Sequence, residues 1–153
     1  MSKINGVIIR KLNRYTDNRG WLVECYRNDE IPEAVRPAMS YISVTLPGIA
    51  RGPHEHVDQT DYFCFPGTSA FELHVWDNRE GSKTKGLHET HLFAEGAPHA
   101  AIVPPGVVHG YKNVGSKDGV VVNFPNRLFA GEGKKQKVDE IRYENDPGSA
   151  FKL

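Results

Sequence analysis

Apolar and polar residues alternate with the two-residue period of a pleated strand along much of the chain, and helical periodicity is confined to short pieces. The pattern is plainest at 69–77, Ser-Ala-Phe-Glu-Leu-His-Val-Trp-Asp, where Phe71, Leu73 and Val75 oppose Glu72, His74 and Trp76. Other β-rich runs fall at 6–10, 20–26, 39–46, 60–65, 90–94, 99–103, 107–113 and 120–124. Turn chemistry separates them at Pro47-Gly48, Pro66-Gly67, Asp77-Asn78, Gly81-Ser82, Gly96-Ala-Pro98 and Gly115-Ser116. Many short strands so punctuated predict an all-β fold, a double-sheet jelly-roll barrel. Helix is predicted only at 29–35 and in the tail at 138–143, and the charged, glycine-rich stretch 131–137 is predicted to be an exposed loop. Trp21, Phe63, Phe65, Phe71 and Trp76 are assigned to the core.

A chain of 153 residues with 39% hydrophobic content suits one domain spanning 1–153. Lys plus Arg and Asp plus Glu number 19 each, so no net field draws the chain to nucleic acid or to a membrane surface, and the expected partner is a small molecule. No apolar run approaches the roughly 18 residues of a membrane span, and the opening Met-Ser-Lys-Ile-Asn-Gly lacks the apolar stretch of an export signal, which predicts a cytoplasmic location. In that compartment Cys25 and Cys64, which have no metal-type spacing, are expected to be reduced, buried thiols.

Two segments carry the chemistry: Arg51-Gly-Pro-His-Glu-His56 and Pro104-Pro-Gly-Val-Val-His-Gly-Tyr-Lys-Asn113. Each follows a run of β-type residues, and in a double-sheet barrel inward side chains from opposing strands converge on one pocket. Alternation places His54 and His56 on the same face. These segments resemble the two motifs of the cupin superfamily: Gly48, His54, His56 and the carboxylate Asp61 match the first, with Asp where Glu is usual, and Pro104, Gly106, His109 and Asn113 match the second. The resemblance implies a cupin double-stranded β-helix, a fold that hosts many chemistries.

A narrower resemblance rests on four collinear segments. Asp17-Asn-Arg-Gly-Trp-Leu-Val-Glu24, Arg51-Gly-Pro-His54, Asp77-Asn-Arg-Glu-Gly-Ser-Lys-Thr84 and Val103-Pro-Pro-Gly-Val-Val-His-Gly-Tyr111 are similar to segments of the dTDP-4-dehydrorhamnose 3,5-epimerase family. That family's chemistry removes a proton from carbon beside a ketone and returns one on the opposite face. The resemblance implies a nucleotide-linked 4-keto-6-deoxy sugar as substrate, no cofactor, His54 as the base, Arg51 holding the diphosphate or sugar, and Arg19 and Glu24 contacting the nucleotide. The family forms homodimers with exchanged N-terminal strands, so Arg19 and Glu24 are expected to serve a neighbouring subunit's site. A neutral imidazole suits the base, and Arg51 and His109 are candidates to face the enolate oxygen.

The chain also departs from the family. Asn123 occupies the slot of the catalytic tyrosine, Asp61 or Tyr62 lies where a lysine would fall, and the C-terminal part that supplies a carboxylate to orient the histidine is shorter. A second resemblance, to the dTDP-6-deoxyhexose 3,4-ketoisomerases, rests on Tyr41-Ile42 and His54-Glu-His56. It implies that His54 and His56 shuttle a proton while Tyr41 and Arg51 position the enediol. A third reading makes His54, His56 and His109 a metal triad with Asp61 or Gln59 as fourth ligand, and a fourth is a sugar-binding module without turnover. His74, His88, His91 and His99 lie in no motif and are assigned structural or solvent-facing places, Lys134-Lys-Gln-Lys137 is read as solvated loop, and Tyr111 either packs or lines the pocket.

Overall fold

The computed structural model describes residues 2–153. Strands form where alternation falls: β1 (Ile8–Lys11), β2 (Arg14–Asp17), β3 (Gly20–Val23), β4 (Tyr41–Thr45), β5 (Ala50–Glu55), β6 (Asp61–Phe65), β7 (Phe71–Asp77), β8 (His88–Phe93), β9 (His99–Val103), β10 (Val107–Asn113), β11 (Gly119–Asn123) and β12 (Ile141–Arg142). One sheet runs β1-β9-β6-β11-β4, the facing sheet runs β12-β5-β10-β7-β8, and β2-β3 stands apart as a hairpin. The described pairings are antiparallel. The all-β jelly roll predicted from the pattern is the observed fold.

Between the sheets lies an aromatic and aliphatic core that includes Phe63, Phe65, Phe71, Leu73, Val75, Phe93, Val107 and Tyr111. Burial of each large side chain contributes about 1.5–3 kcal/mol. Strand β6 is buried along its whole length. Its inward residues Phe63 and Phe65 join that core, while Tyr62 and Cys64 face outward and are covered by Leu12, Ile31, Ala100 and Ile102. A strand wrapped on both faces has little freedom to shift register, which fixes Asp61 at its start.

Several expectations need correction. The tail at 138–143 is not helical: Ile141–Arg142 adds to the outer edge of β5, opposite Glu55 and His54. The unpaired edge groups of β5 take a partner there, which satisfies backbone that a separate tail helix would leave open. The predicted helix at 29–35 is reduced to a single 3-10 turn, Glu33–Val35. Trp21 is 43% exposed on the β2-β3 hairpin rather than in the core, whereas Phe63, Phe65, Phe71 and Trp76 are buried. Strand β5 shows no apolar alternation because its inward position goes to His54. Both cysteines are free thiols, Cys64 buried and Cys25 half-buried. Among the described residues no helix is long and apolar enough to cross a membrane.

The segment 77–84 turns out to be a structural lock. The buried Asp77 carboxylate accepts from Arg79 Nε and Nη2, each at 2.8 Å, from Ser82 Oγ at 2.6 Å and from Thr84 Oγ1. Arg79 also reaches the Asn5 carbonyl at 2.7 Å, tying the N-terminal segment to the barrel. The Arg79 guanidinium holds the Asp77 carboxyl well below the usual carboxylate range. Replacing Asp77 by Ala should therefore cost about 3 kcal/mol by loss of charge-assisted bonds and orphaned donors. Urea unfolding checks it, and a change under about 0.5 kcal/mol, the scatter of ordinary surface substitutions, would show that the lock carries no stability.

Candidate active site

Strands β5, β6, β10 and β11 deliver the site from both sheets. His54 on β5 lies directly opposite His109 on β10, with their rings 4.6 Å apart, and His56 follows one step beyond β5 with its ring 5.4 Å from His54. The close approach of β5 to β10 depends on Gly52. It adopts φ 85°, and a Cβ there would meet the His109 carbonyl oxygen at 2.8 Å. Only glycine fits both the angle and the gap.

Asp61 sits at the centre and is 1% exposed. Its Oδ2 accepts from His56 Nε2 at 3.0 Å and His109 Nε2 at 3.1 Å, and its Oδ1 accepts from Gln59 Nε2 and Asn123 Nδ2, each at 2.9 Å. The acceptor sites of the carboxylate are filled. Burial pushes its carboxyl up, but the bonds from His109 and His56 outweigh that and hold it well below the usual range. His56 donates its other nitrogen, Nδ1, to the Asp139 carbonyl. Burial alone would lower the pKa of His56; the Asp61 bond and charge, with the Asp139 carbonyl, raise it instead. His109 turns Nδ1 to its own strand, 2.9 Å from the Val107 carbonyl. Both rings thus have each nitrogen engaged.

His54 differs. Burial, and the neighbouring His109 and His56 rings, push it down to about 2, so it stays neutral. Its Nδ1 has no bond within range; the nearest carboxylate oxygen is Glu140 Oε1 at 3.8 Å. Asn123 pairs across the sheet with Tyr41, and its amide nitrogen donates to the Tyr41 hydroxyl at 2.8 Å as well as to Asp61. The Tyr41 ring is half-exposed, but its hydroxyl end is desolvated, which pushes the phenol up to about 12.

Two cavities meet at these groups. One of about 860 Å³ is lined by Tyr41, His54, His56, Glu140 and most of the segment 125–139, Gly133 and Lys135 excepted. The other, of about 340 Å³, is lined by Tyr41, His54, Ser43, Arg51, Tyr111 and Glu140. Arg51 is anchored by Nε to Thr45 Oγ1 at 3.0 Å and Nη2 to the Val44 carbonyl at 2.7 Å, and no bond is recorded for its Nη1. Tyr111 does both things open to it: its ring packs among Phe63, Phe65 and Phe71, and its hydroxyl bonds Ser43 at 2.9 Å.

The structure therefore brings together His54, His56, Arg51, Tyr41, Asp61, His109 and Asn123. Arg19 and Glu24 lie elsewhere: Arg19 pairs with Asp17 in the β2-β3 turn, Glu24 pairs with Arg27, and neither lines either cavity. The sequence reading missed the tail. The Asp139 carboxylate accepts the amides of Val57, Asp58 and Gln59 at 2.7, 2.8 and 2.9 Å, and Glu140 sits beside His54. The acidic pair Asp139-Glu140 ahead of the apolar Ile141 was the available signal, but contacts across so much chain leave no local spacing. Residues 132–137 are exposed, as the loop reading expects, and Lys134 and Lys137 also line the larger cavity.

The donor atoms of His54, His56, Asp61 and His109 lie within 4.8 Å of one another, a set chemically suited to a divalent transition metal. Without a metal, the same set is a carboxylate-centred histidine cluster with one neutral imidazole facing two cavities.

Fold and cluster together define a cupin-type barrel with an acid-base site at the mouth between its sheets. Residues 1–137 match the family model described as dTDP-4-dehydrorhamnose 3,5-epimerase. A probable low-salt glycan biosynthesis epimerase of Haloferax volcanii is 34% identical over 130 residues, 84% of this chain and 83% of that protein. A spore coat polysaccharide biosynthesis protein of Bacillus subtilis is 34% identical over 134 residues, 88% of this chain and 87% of that one. Among solved structures, a 4-keto-6-deoxy sugar epimerase from the novobiocin cluster of Streptomyces spheroides superposes with a TM-score of 0.73 at 26% identity, over 84% of this chain and 67% of that chain. The chain belongs to the dTDP-4-dehydrorhamnose 3,5-epimerase family, and the expectation of a sugar-nucleotide epimerase holds.

The two perturbed histidines set opposite pH limbs for stability. His56, raised when folded, holds a proton that the unfolded chain loses above the ordinary value of about 6.5; its contribution is complete below that value and is lost as pH rises. His54, lowered when folded, stays neutral where the unfolded chain is protonated, so stability is lost as pH falls below about 6.5. Each limb has a limiting slope of about 1.4 kcal/mol per pH unit. Denaturation midpoints should peak near that pH, with the acid limb flattened in His54→Gln and the alkaline limb in His56→Gln. Unchanged limbs in both variants would refute the assignment.

Proposed function

We propose that the protein epimerises a nucleotide-linked 4-keto-6-deoxy sugar, with His54 as base and Tyr41 as proton donor. The observation that carries this is the neutral His54 lining the same two cavities as Tyr41, whose hydroxyl already accepts a hydrogen bond from Asn123 and keeps its own O–H to give. His54 takes the hydrogen from carbon next to the ketone, the electron pair moves onto the ketone oxygen as an enolate, and Arg51 in the smaller cavity faces that negative charge. Tyr41 returns a proton to the carbon from the opposite side and recovers one from water. Glu140, beside Nδ1, favours the imidazolium as it forms.

Asn123 replaces the family's tyrosine with an amide that cannot donate a proton to carbon, and its cross-strand neighbour Tyr41 supplies one from the same rung. The printed descriptions of the relatives, glycan and spore coat polysaccharide biosynthesis and a 4-keto-6-deoxy sugar epimerase, support the substrate class and a role in surface polysaccharide or deoxysugar synthesis. Keto migration would ask His56 to shuttle a proton, and its engaged nitrogens favour epimerisation. In this reading the enzyme works in the cytoplasm as a homodimer. Exposed Tyr15, Trp21 and Leu22 on the hairpin and Ile42 and Val44 on edge strand β4 support a second copy, whose Arg19 and Glu24 would reach this cavity.

A second reading is favoured by the mutual closeness of the four donor atoms: a divalent metal bound there, in an oxygenase or a sugar-binding sensor. One experiment separates the two. Proton NMR in deuterated water, with a dTDP-linked 4-keto-6-deoxyhexose, should show exchange beside the ketone that survives a chelator. His54→Ala should lower exchange by about 100-fold or more, and Tyr41→Phe should keep exchange while losing the inverted product. Full exchange in His54→Ala removes the base, and loss on chelation restored by added metal establishes the metal reading.

A further inference from the structure

The larger cavity has a charge pattern that the proton chemistry does not use. Three of its four carboxylates are spent within the protein: Asp58 pairs with Arg127 at 2.9 Å, Glu140 pairs with Arg142 at 2.7 Å, and Asp139 holds the amides of Val57, Asp58 and Gln59, which leaves Glu132 as the one carboxylate of the lining with no such partner among the described residues. Arg142 is taken up by Glu140 and Glu144, and Arg127 by Asp58. Lys134 and Lys137 line the same cavity, and neither has a carboxylate oxygen within 4.0 Å among the described residues. Two lysines without a carboxylate partner thus line a chamber that His54 also lines.

The loop that carries them is closed on itself. Gln136 N donates to the Ala130 carbonyl at 2.7 Å, and Lys134 N donates to the Gly131 carbonyl at 3.1 Å. Gly131 takes φ 70° and ψ −170°, a backbone region open essentially to glycine alone, so the turn closes there around glycine. Ala130, Gly131, Gly133 and Lys134 all take left-handed φ, at 56, 70, 62 and 58°. A lysine adopts that conformation only at a cost, and a cost sustained beside a cavity points to a placed side chain. Lys135, between the two, does not line the cavity.

We infer that Lys134 and Lys137 clamp the diphosphate of the sugar nucleotide. This deepens the nucleotide-sugar reading and rests on it for the identity of the ligand. A diphosphate needs compact, unsatisfied cations that can meet its oxygens with charge-assisted hydrogen bonds, and lysine supplies three donors on a point charge. Leu128 and Phe129 line the same wall and offer an apolar seat for the base. The nucleotide end is then held by the same chain that supplies His54, and Arg51 in the other cavity is left to the sugar.

Titration calorimetry of the full chain with inorganic pyrophosphate and with dTDP tests the clamp. Lys134→Gln/Lys137→Gln should bind both about 10- to 100-fold more weakly than wild type. Lys135→Gln should bind within about twofold, and Lys134→Arg/Lys137→Arg should restore most of the affinity because guanidinium also binds phosphate. Pyrophosphate binding by the double Gln variant equal to wild type, or an equal loss in Lys135→Gln, would overturn the inference. Wild-type binding of pyrophosphate without any binding of dTDP would sink the nucleotide-sugar reading and leave the clamp standing. Binding of neither probe would remove both.

Discussion

Asp61 is an ionised carboxylate almost out of reach of water, and the site is organised by what that requires. Moving such a charge into a barrel costs several kcal/mol unless its lone pairs are met by donors of good geometry. Here His56 and Gln59, His109, and Asn123 meet them from three different stretches of chain. Satisfying one buried oxygen pair therefore fixes the mutual position of β5, β6, β10 and β11 at the mouth of the barrel. It also sorts the histidines. Two lean on the carboxylate, and the third, His54, makes no hydrogen bond to it, so desolvation and the neighbouring rings outweigh the Asp61 charge and the imidazole stays neutral.

The rest of the fold supports this arrangement from outside. Packing on both faces of β6 holds Asp61 in register, Gly52 lets β5 approach β10, and the tail adds β12 to the edge of β5. That last pairing brings Asp139 and Glu140 to the site, with the Glu55 carboxylate accepting from Tyr143 and Asn78 to hold the tail in place. The segment beyond residue 137 lies outside the family match, yet it contributes the carboxylate next to the base. Glu140 reaches that position from the residue just ahead of β12, 3.8 Å from His54 Nδ1.

Much of this was legible in the residues. The alternation at 69–77 and the turn dipeptides give the two-sheet barrel, and the spacing of His54, His56, Asp61, His109 and Asn123 gives the cluster, because each lies on a strand, or in the case of His56 one step beyond one, whose period fixes the facing. Strand β5 escaped the pattern because its Gly52, Pro53 and His54 serve approach and chemistry rather than packing. The tail was misread as helix because its pairing with β5 is a long-range event that no local period records. The same limit hid Glu140 and the cavity-lining place of the lysines. Trp21 was misplaced because the β2-β3 hairpin stands apart from both sheets, so strand alternation there does not report on the core.

The proposed roles of base and proton donor depend on the division of labour among the histidines, and nitrogen-15 NMR of the imidazoles across about pH 5 to 8 addresses it directly. The account predicts that His56 carries protons on both nitrogens at the acid end and retains them past the ordinary value of about 6.5. His54 should keep one bare nitrogen throughout. A His54 that titrates near 6.5, or a His56 that is neutral over the whole range, would contradict it.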